Sequence, residues 1–249
     1  MEASIDQDLK FLCKCGNSEL KKLCDILTFN KLGWYRISEH LTDTDDYLCH
    51  YPDEMNQMTG AIANELLCAG TNSIVMAWNN GCPDSYDDVL WRVCKCMKVD
   101  AVKDDSVVTK EHALLFKLCS DAMSKMSEEE LHEIADNAGV VEKNLNKQMI
   151  TGAILFVIKK NPKVFARVIT FIARRIIAFL AGRSAAKVGV GAVERALGVV
   201  TGPVGWVVLT AWTVWDLATP AMRVCIPAVV QIAIMRMEST PRLKMRRAA

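Results

Sequence analysis

The sequence predicts an all-α fold, a multi-helix bundle that closes with a C-terminal apolar helical hairpin. Three observations carry this. Apolar residues recur at spacings of three and four along most of the chain, with almost no period-two alternation. Short polar joints separate these runs and begin with residues that cap helix N-termini. Near the C-terminus, two apolar stretches meet at a charged joint around Asp216 and Arg223. With 249 residues, 51% of them apolar, the chain can bury a sizeable core, and disorder or low complexity is excluded.

The elements follow in order. Leu9, Leu12 and Cys13 share a helical face in the run Asp8–Cys15. Asn17 or Ser18 then caps a helix in which Leu20, Leu23, Cys24 and Leu27 line up. Tyr51-Pro52 is expected to open the next helix, through Met55, Met58, Ile62, Leu66 and Leu67, with Gly70 as its stop. After a turn at Asn79–Pro83, Asp84 or Ser85 caps a helix carrying Val89, Leu90, Val93 and Met97. Thr109 starts the segment of Leu114, Leu115, Leu118 and Met123. Ser127 with Glu130 forms a capping box for a helix that ends near Gly139.

From about Met149 the chain changes character. A basic amphipathic helix is expected over about 150–181. At 100° per residue Lys160, Lys163, Arg167 and Arg174 fall in one stripe, opposite Phe165, Ile169, Ile172, Ile176 and Phe179. A cationic stripe beside an Ile/Phe face suits a helix lying at a bilayer surface, and equally a helix packed on a core. A glycine-rich joint follows over 182–205, holding six of the chain's thirteen glycines. Small-xxx-small pairs there, such as Gly198/Gly202, permit close helix approach. Ala196–Trp215 is then twenty residues without a charge, long enough to cross a hydrocarbon layer of about 30 Å were Gly202-Pro203-Val204-Gly205 not to interrupt it. The hairpin is therefore placed over 203–238, with Thr219-Pro220 opening its second arm and Pro227 kinking it. Trp206, Trp212 and Trp215 are candidate interfacial anchors. An apolar core hairpin has the same composition.

Charge divides the chain in the same place. Residues 1–149 hold 15 basic and 26 acidic side chains, whereas residues 150–249 hold 15 basic and only Glu194, Asp216 and Glu238. Two regions are expected: an acidic, Cys-rich helical bundle over 1–140 and a basic, apolar helical region over 149–249. The basic half is attracted to anionic lipid head groups and the acidic half repelled. The two halves can also neutralise each other across an internal interface. Met1–Asp8 is acidic, without a basic n-region or an apolar h-region, so secretion through a signal peptide is not expected. Nine of the ten cysteines precede residue 120, and in a reducing cytoplasm they are expected as thiols.

No catalytic, cofactor or metal constellation emerges. Cys13-Lys14-Cys15 and Cys94-Lys95-Cys96 sit in or beside helices, where residues two apart diverge, and paired C-x-x-C spacing is absent. His132-Glu133 lacks the second histidine of H-E-x-x-H, and His40, His50, His112 and His132 share no spacing. Nucleophile-elbow, P-loop and dinucleotide-binding glycine patterns are missing. The acidic cluster Asp43, Asp45 and Asp46 reads as a helix cap or solvated loop. The basic tail of Arg242, Lys244, Arg246 and Arg247 lacks interleaved aromatics, so nucleic acid is not the expected partner.

The block Arg223-Val-Cys-Ile-Pro227-Ala-Val-Val-Gln231-Ile-Ala233, preceded by Gly202-Pro203-Val204-Gly205, resembles the C-terminal signature of the bacterial YaaW (UPF0174) family. The N-terminal half agrees at Asp8-Leu9, Glu19-Leu20, Leu27-Thr28, Gly33, Arg36–Glu39, Ile62–Leu66 and Gly70–Ile74. The resemblance covers nearly the whole chain. Its implied family motif here is Gly202, Pro203, Gly205, Arg223, Pro227 and Gln231. The N-terminal part is similar to the ubiquinol–cytochrome c chaperone grouping. The chain departs from the family pattern in its many cysteines and in the stretch Trp206–Trp215, and the resemblance brings no catalytic residues with it.

Two functional classes stay open on the sequence. One is a non-enzymatic, cytoplasmic helical protein whose basic half docks on or inserts into an anionic bilayer, with pore formation as the sharper version. Lys160, Lys163, Arg167, Arg174, Trp206, Trp212 and Trp215 are its membrane-binding candidates, and its acidic bundle regulates or binds a partner. The other is a soluble, chaperone-like assembly protein whose apolar hairpin is core or a groove for a protein partner or a second copy.

Overall fold

The computed structural model describes residues 5–29, 39–71, 83–140, 146–182 and 221–247, with side chains through Ile172 and Ser239 in the last two segments. These residues form nine α-helices, three short 3-10 helices and no strand ladder. The helices are α1 (Asn17–Thr28), α2 (Asp45–His50), α3 (Thr59–Gly70), α4 (Tyr86–Cys96) and α5 (Val107–Lys125). They continue with α6 (Glu128–Ala138), α7 (Lys147–Lys160), α8 (Pro162–Gly182) and α9 (Met222–Arg247).

Local chemistry sets most boundaries. Ser85, Ser106, Ser127 and Asn146 cap α4, α5, α6 and α7, each accepting a backbone N–H three residues on. Gly139 ends α6 in the left-handed region at φ 78°, where a Cβ would be penalised. Thr44 caps α2, which puts Asp45 and Asp46 in its first turn beside unpaired N–H groups.

Several expected boundaries move. Asp8–Cys15 winds as a 3-10 helix, Gln7–Lys14, that buries Leu9 and Leu12 and leaves Cys13 exposed. α1 starts behind Gly16, whose N–H donates to the Glu19 carboxylate at 3.0 Å. The helix expected from Tyr51-Pro52 is in two parts, a 3-10 turn at Met55–Met58 and then α3. Gly70 ends α3, but its missing side chain has a packing reason. A Cβ there would lie 2.6 Å from Val89 Cγ2 of α4.

α9 is the axis of the bundle. It packs against α1, α3, α4, α5, α8 and the N-terminal 3-10 helix. Every residue from Val224 to Met235 is buried, on all sides of the helix. A helix with no polar face must be covered all round, and here the N-terminal helices cover it. One continuous core therefore joins Leu9, Leu23 and Leu66 to Ile154, Ile169 and Ile232. The change of composition at 140–149 is not a division of that core. α9 also runs on through Pro227 to Arg247, beyond the expected end near Glu238.

Candidate functional site

The cationic stripe presumes one uninterrupted helix, and the structure breaks it at Asn161-Pro162. The Asn161 N–H donates to the Val157 carbonyl at 2.9 Å, closing α7. Its Oδ1 accepts from the N–H groups of Lys163 at 3.1 Å and Val164 at 3.4 Å, opening α8. Pro162 takes the first helical position, where a missing N–H costs nothing. One residue thus ends a helix and caps the next. Lys160 ends α7, and Lys163 and Arg167 lie one turn apart on α8. These cations gather at the tip of an α7–α8 hairpin.

The tip combines charge with exposed apolar surface. Ile150, Ile154 and Ile158 turn α7 onto the core, while Phe156, one turn before Lys160, stays 60% exposed. Lys160 Nζ sits 4.7 Å from the centroid of the Phe156 ring, and Lys159 Nζ sits 5.5 Å from that of Phe116. Lys159, Lys160, Lys163 and Arg167 are all exposed. No Asp or Glu occurs in the sequence between 147 and 182. At the far end of α7, about 20 Å away at 1.5 Å per residue, the Glu128 carboxylate accepts from the Lys147 N–H at 3.3 Å.

The Ile/Phe face of α8 does not join this surface. Val168, Ile169 and Ile172 are buried, and Phe165 meets His112 edge-on at 5.4 Å. The described part of that face is core, and the exposed apolar contribution among the described residues comes from α7. Arg174 belongs to α8, but its side chain, with those of Ile176 and Phe179, lies outside the described residues. So do Gly202, Pro203, Gly205, Trp206, Trp212 and Trp215. Of the C-terminal motif, Arg223 is exposed at the start of α9, and Pro227 and Gln231 are buried within it.

A second polar cluster escaped the sequence reading. Glu111 of α5 accepts from the Tyr86 hydroxyl at 2.8 Å and from Arg236 Nε at 2.7 Å. Arg236 also donates from Nη2 to the Asp8 carbonyl at 2.7 Å, and its guanidinium stacks 4.2 Å from the Phe11 ring centroid. Asp6 completes the group by accepting from the Tyr86 N–H at 3.1 Å. Burial pushes the Glu111 carboxyl up, against the pull of Arg236 and of the Tyr86 hydrogen bond. Burial likewise raises Asp8, with Asp6 adding to it, and raises the Tyr86 phenol well above its ordinary value. The signal was present. Glu111 precedes Leu114, Leu115 and Leu118 by three, four and seven positions, which puts a carboxylate on the apolar face of α5.

The cysteines diverge as helical geometry requires. Cys13 is exposed, with Sγ 3.4 Å from Thr59 Oγ1, whereas Cys15 is buried and donates to the Phe11 carbonyl. Among the described residues no three His, Cys, Asp or Glu side chains are placed to hold a metal ion. Among them, too, no helix is long and apolar enough to cross a membrane.

Comparison with known proteins adds the family. Residues 5–37 match a domain described as a domain of unknown function, DUF3944. A UPF0174 protein of Helicobacter pylori strain J99 is 31% identical over 240 residues, covering 96% of this chain and 94% of the relative. A second, from strain 26695, is 30% identical over 81% of this chain and 98% of its own length. The UPF0174 protein YaaW of Escherichia coli K12 is 30% identical over 234 residues, covering 93% and 94%. No solved structure matches. Identity at this level across nearly the full length of both chains places the protein in the UPF0174 family.

Proposed function

We propose that this protein is a non-enzymatic helical bundle that docks peripherally on anionic membrane surfaces, such as a cytoplasmic leaflet, through the tip of the α7–α8 hairpin. The observation that carries the reading is Phe156, 60% exposed among four exposed cations in a stretch without acidic residues. Each cation held at an anionic surface contributes about 1 kcal/mol. Burying a phenylalanine side chain in the interfacial region adds roughly 1.5–3 kcal/mol. Such a sum supports weak, reversible attachment. The acidic first half, repelled by the same lipids, orients the tip toward the surface.

Insertion of a 203–238 hairpin, or a pore built from it, is the weaker version. It would draw Val224–Met235 out of the core, and seven of those residues are large apolar side chains. In hydrocarbon those side chains keep an apolar environment, so the cost is water reaching the faces of α1, α3, α4 and α5 that cover α9. In a chaperone-like reading, α9 would serve as core rather than as a partner groove, because Val224–Met235 is covered on all sides.

Vesicle co-sedimentation tests the docking reading. Wild-type protein should pellet with phosphatidylcholine vesicles that contain phosphatidylglycerol and stay in the supernatant with phosphatidylcholine alone. Replacing Lys159, Lys160, Lys163 and Arg167 by Gln should weaken binding roughly fivefold per cation. Phe156→Ser should weaken it without changing its salt dependence. Wild-type protein that never pellets with the anionic vesicles would remove the proposal.

A further inference from the structure

We infer that Arg236 is a register lock: its capture by Glu111, Tyr86, Phe11 and the Asp8 carbonyl selects one axial position for α9 in the bundle. This goes beyond the docking reading and does not depend on it.

The argument begins with what α9 lacks. From Val224 to Met235 the helix is buried all round, and Gln231 is its only side chain with polar atoms apart from the Cys225 thiol. Apolar contact is non-directional, so such a helix is poorly registered along its own axis. A slide of one turn, about 5.4 Å, sets most apolar residues of the run near the place of another. Cys225 falls near Val229, Ile226 near Val230, and Val230 near Ile234. Packed helices have this kind of neighbouring alternative one turn apart.

Arg236 breaks the degeneracy. It is the first charged residue after the apolar run, and its side chain is 16% exposed against 2% for its partner Glu111. Its receptors come from three separate elements: Glu111 from α5, Tyr86 from α4, and Phe11 with the Asp8 carbonyl from the N-terminal 3-10 helix. A guanidinium offers donors in a fixed planar fork, so it fits this set in one place only. Sliding α9 by one turn toward its C-terminus would bring Ile232 to that place. The Glu111 carboxylate would then be buried without its cation and the Arg236 charge stranded elsewhere. A buried ion pair adds little net stability over well-packed apolar groups, but mismatching it is costly, which is how such pairs set register.

The test uses the full chain with isoleucine methyl groups labelled for NMR. Ile226, Ile232 and Ile234 of α9 report its position, and wild type should give one resonance for each. Glu111→Gln combined with Arg236→Met removes both charges while leaving an acceptor for the Tyr86 hydroxyl. This pair should melt within a few degrees of wild type, yet split each α9 isoleucine methyl into two or more resonances. One resonance per isoleucine in the paired variant overturns the lock. Loss of folding in the paired variant also overturns it, by showing that the cluster supplies stability rather than register.

Discussion

Removing everything after residue 140 tests how the bundle is built. The charge pattern favours an independent N-terminal unit, and the position of α9 argues for the opposite outcome. Val224, Ile226, Val229, Val230, Ile232, Ile234 and Met235 are each at most 8% exposed in the intact protein. At roughly 1.5–3 kcal/mol per side chain, their burial amounts to about 10–20 kcal/mol. A whole domain is stable by about 5–15 kcal/mol. The faces of α1, α3, α4 and α5 that cover α9 would also meet water. A fragment of residues 1–140 should therefore keep helical far-ultraviolet circular dichroism but lose its near-ultraviolet signal and its cooperative melting transition, as a chain without fixed packing does. Differential scanning calorimetry of the fragment beside the full chain is the direct assay. A sharp, reversible transition in the fragment alone would refute the reasoning and restore the boundary that the charges suggest.

Two further predictions probe packing at single positions. Gly70→Ala should destabilise by about 1–3 kcal/mol in urea, since its Cβ would press on buried Val89. Gly152→Ala, on the exposed face of α7 with nothing within 4 Å, should stabilise by about 0.5–1 kcal/mol; equal effects at the two sites would contradict the close approach of α3 and α4. Thiol labelling of the native protein at neutral pH should reach Cys13 and Cys49 quickly. Cys24 and Cys94 should lag far behind, because burial pushes their thiols up to about 12 and about 11. Peptide mapping that found all four labelled at one rate would show that those helices open readily.

The helices were legible where a local rule decides them. Ser127 with Glu130, Gly139, and the 3.6-residue spacing of Leu20, Leu23, Cys24 and Leu27 each act within a turn or two, and the structure follows them. Asn161-Pro162 is also a local signal, a cap followed by a first-turn proline. An amphipathic pattern that continues across it hides it. Glu111 and Arg236 illustrate a different limit. They lie 125 positions apart, and no periodicity joins a carboxylate on one helix to a guanidinium on another. The pattern could mark Glu111 as misplaced on an apolar face, but only the packing supplies its partner.

The charge asymmetry and the buried core divide the chain differently, for one physical reason. Charge is distributed over surfaces, whereas a domain is defined by its core, and the two need not divide at the same residue. α9 belongs to the basic half by composition, yet it packs on α8 and on the helices of the acidic half together. Lys159, Lys160, Lys163 and Arg167 stay outside that shared core, in a stretch without acidic residues to neutralise them. The molecule thus carries a positive tip on a body whose N-terminal sequence is strongly acidic. Docking through that tip, as proposed, depends on ionic strength. Exposed charges are screened over about 8 Å at physiological salt and over about 3 Å at molar salt. Binding to anionic vesicles should accordingly fall steeply as salt is raised, while the contribution of Phe156 persists, and this split separates electrostatic docking from insertion of an apolar hairpin.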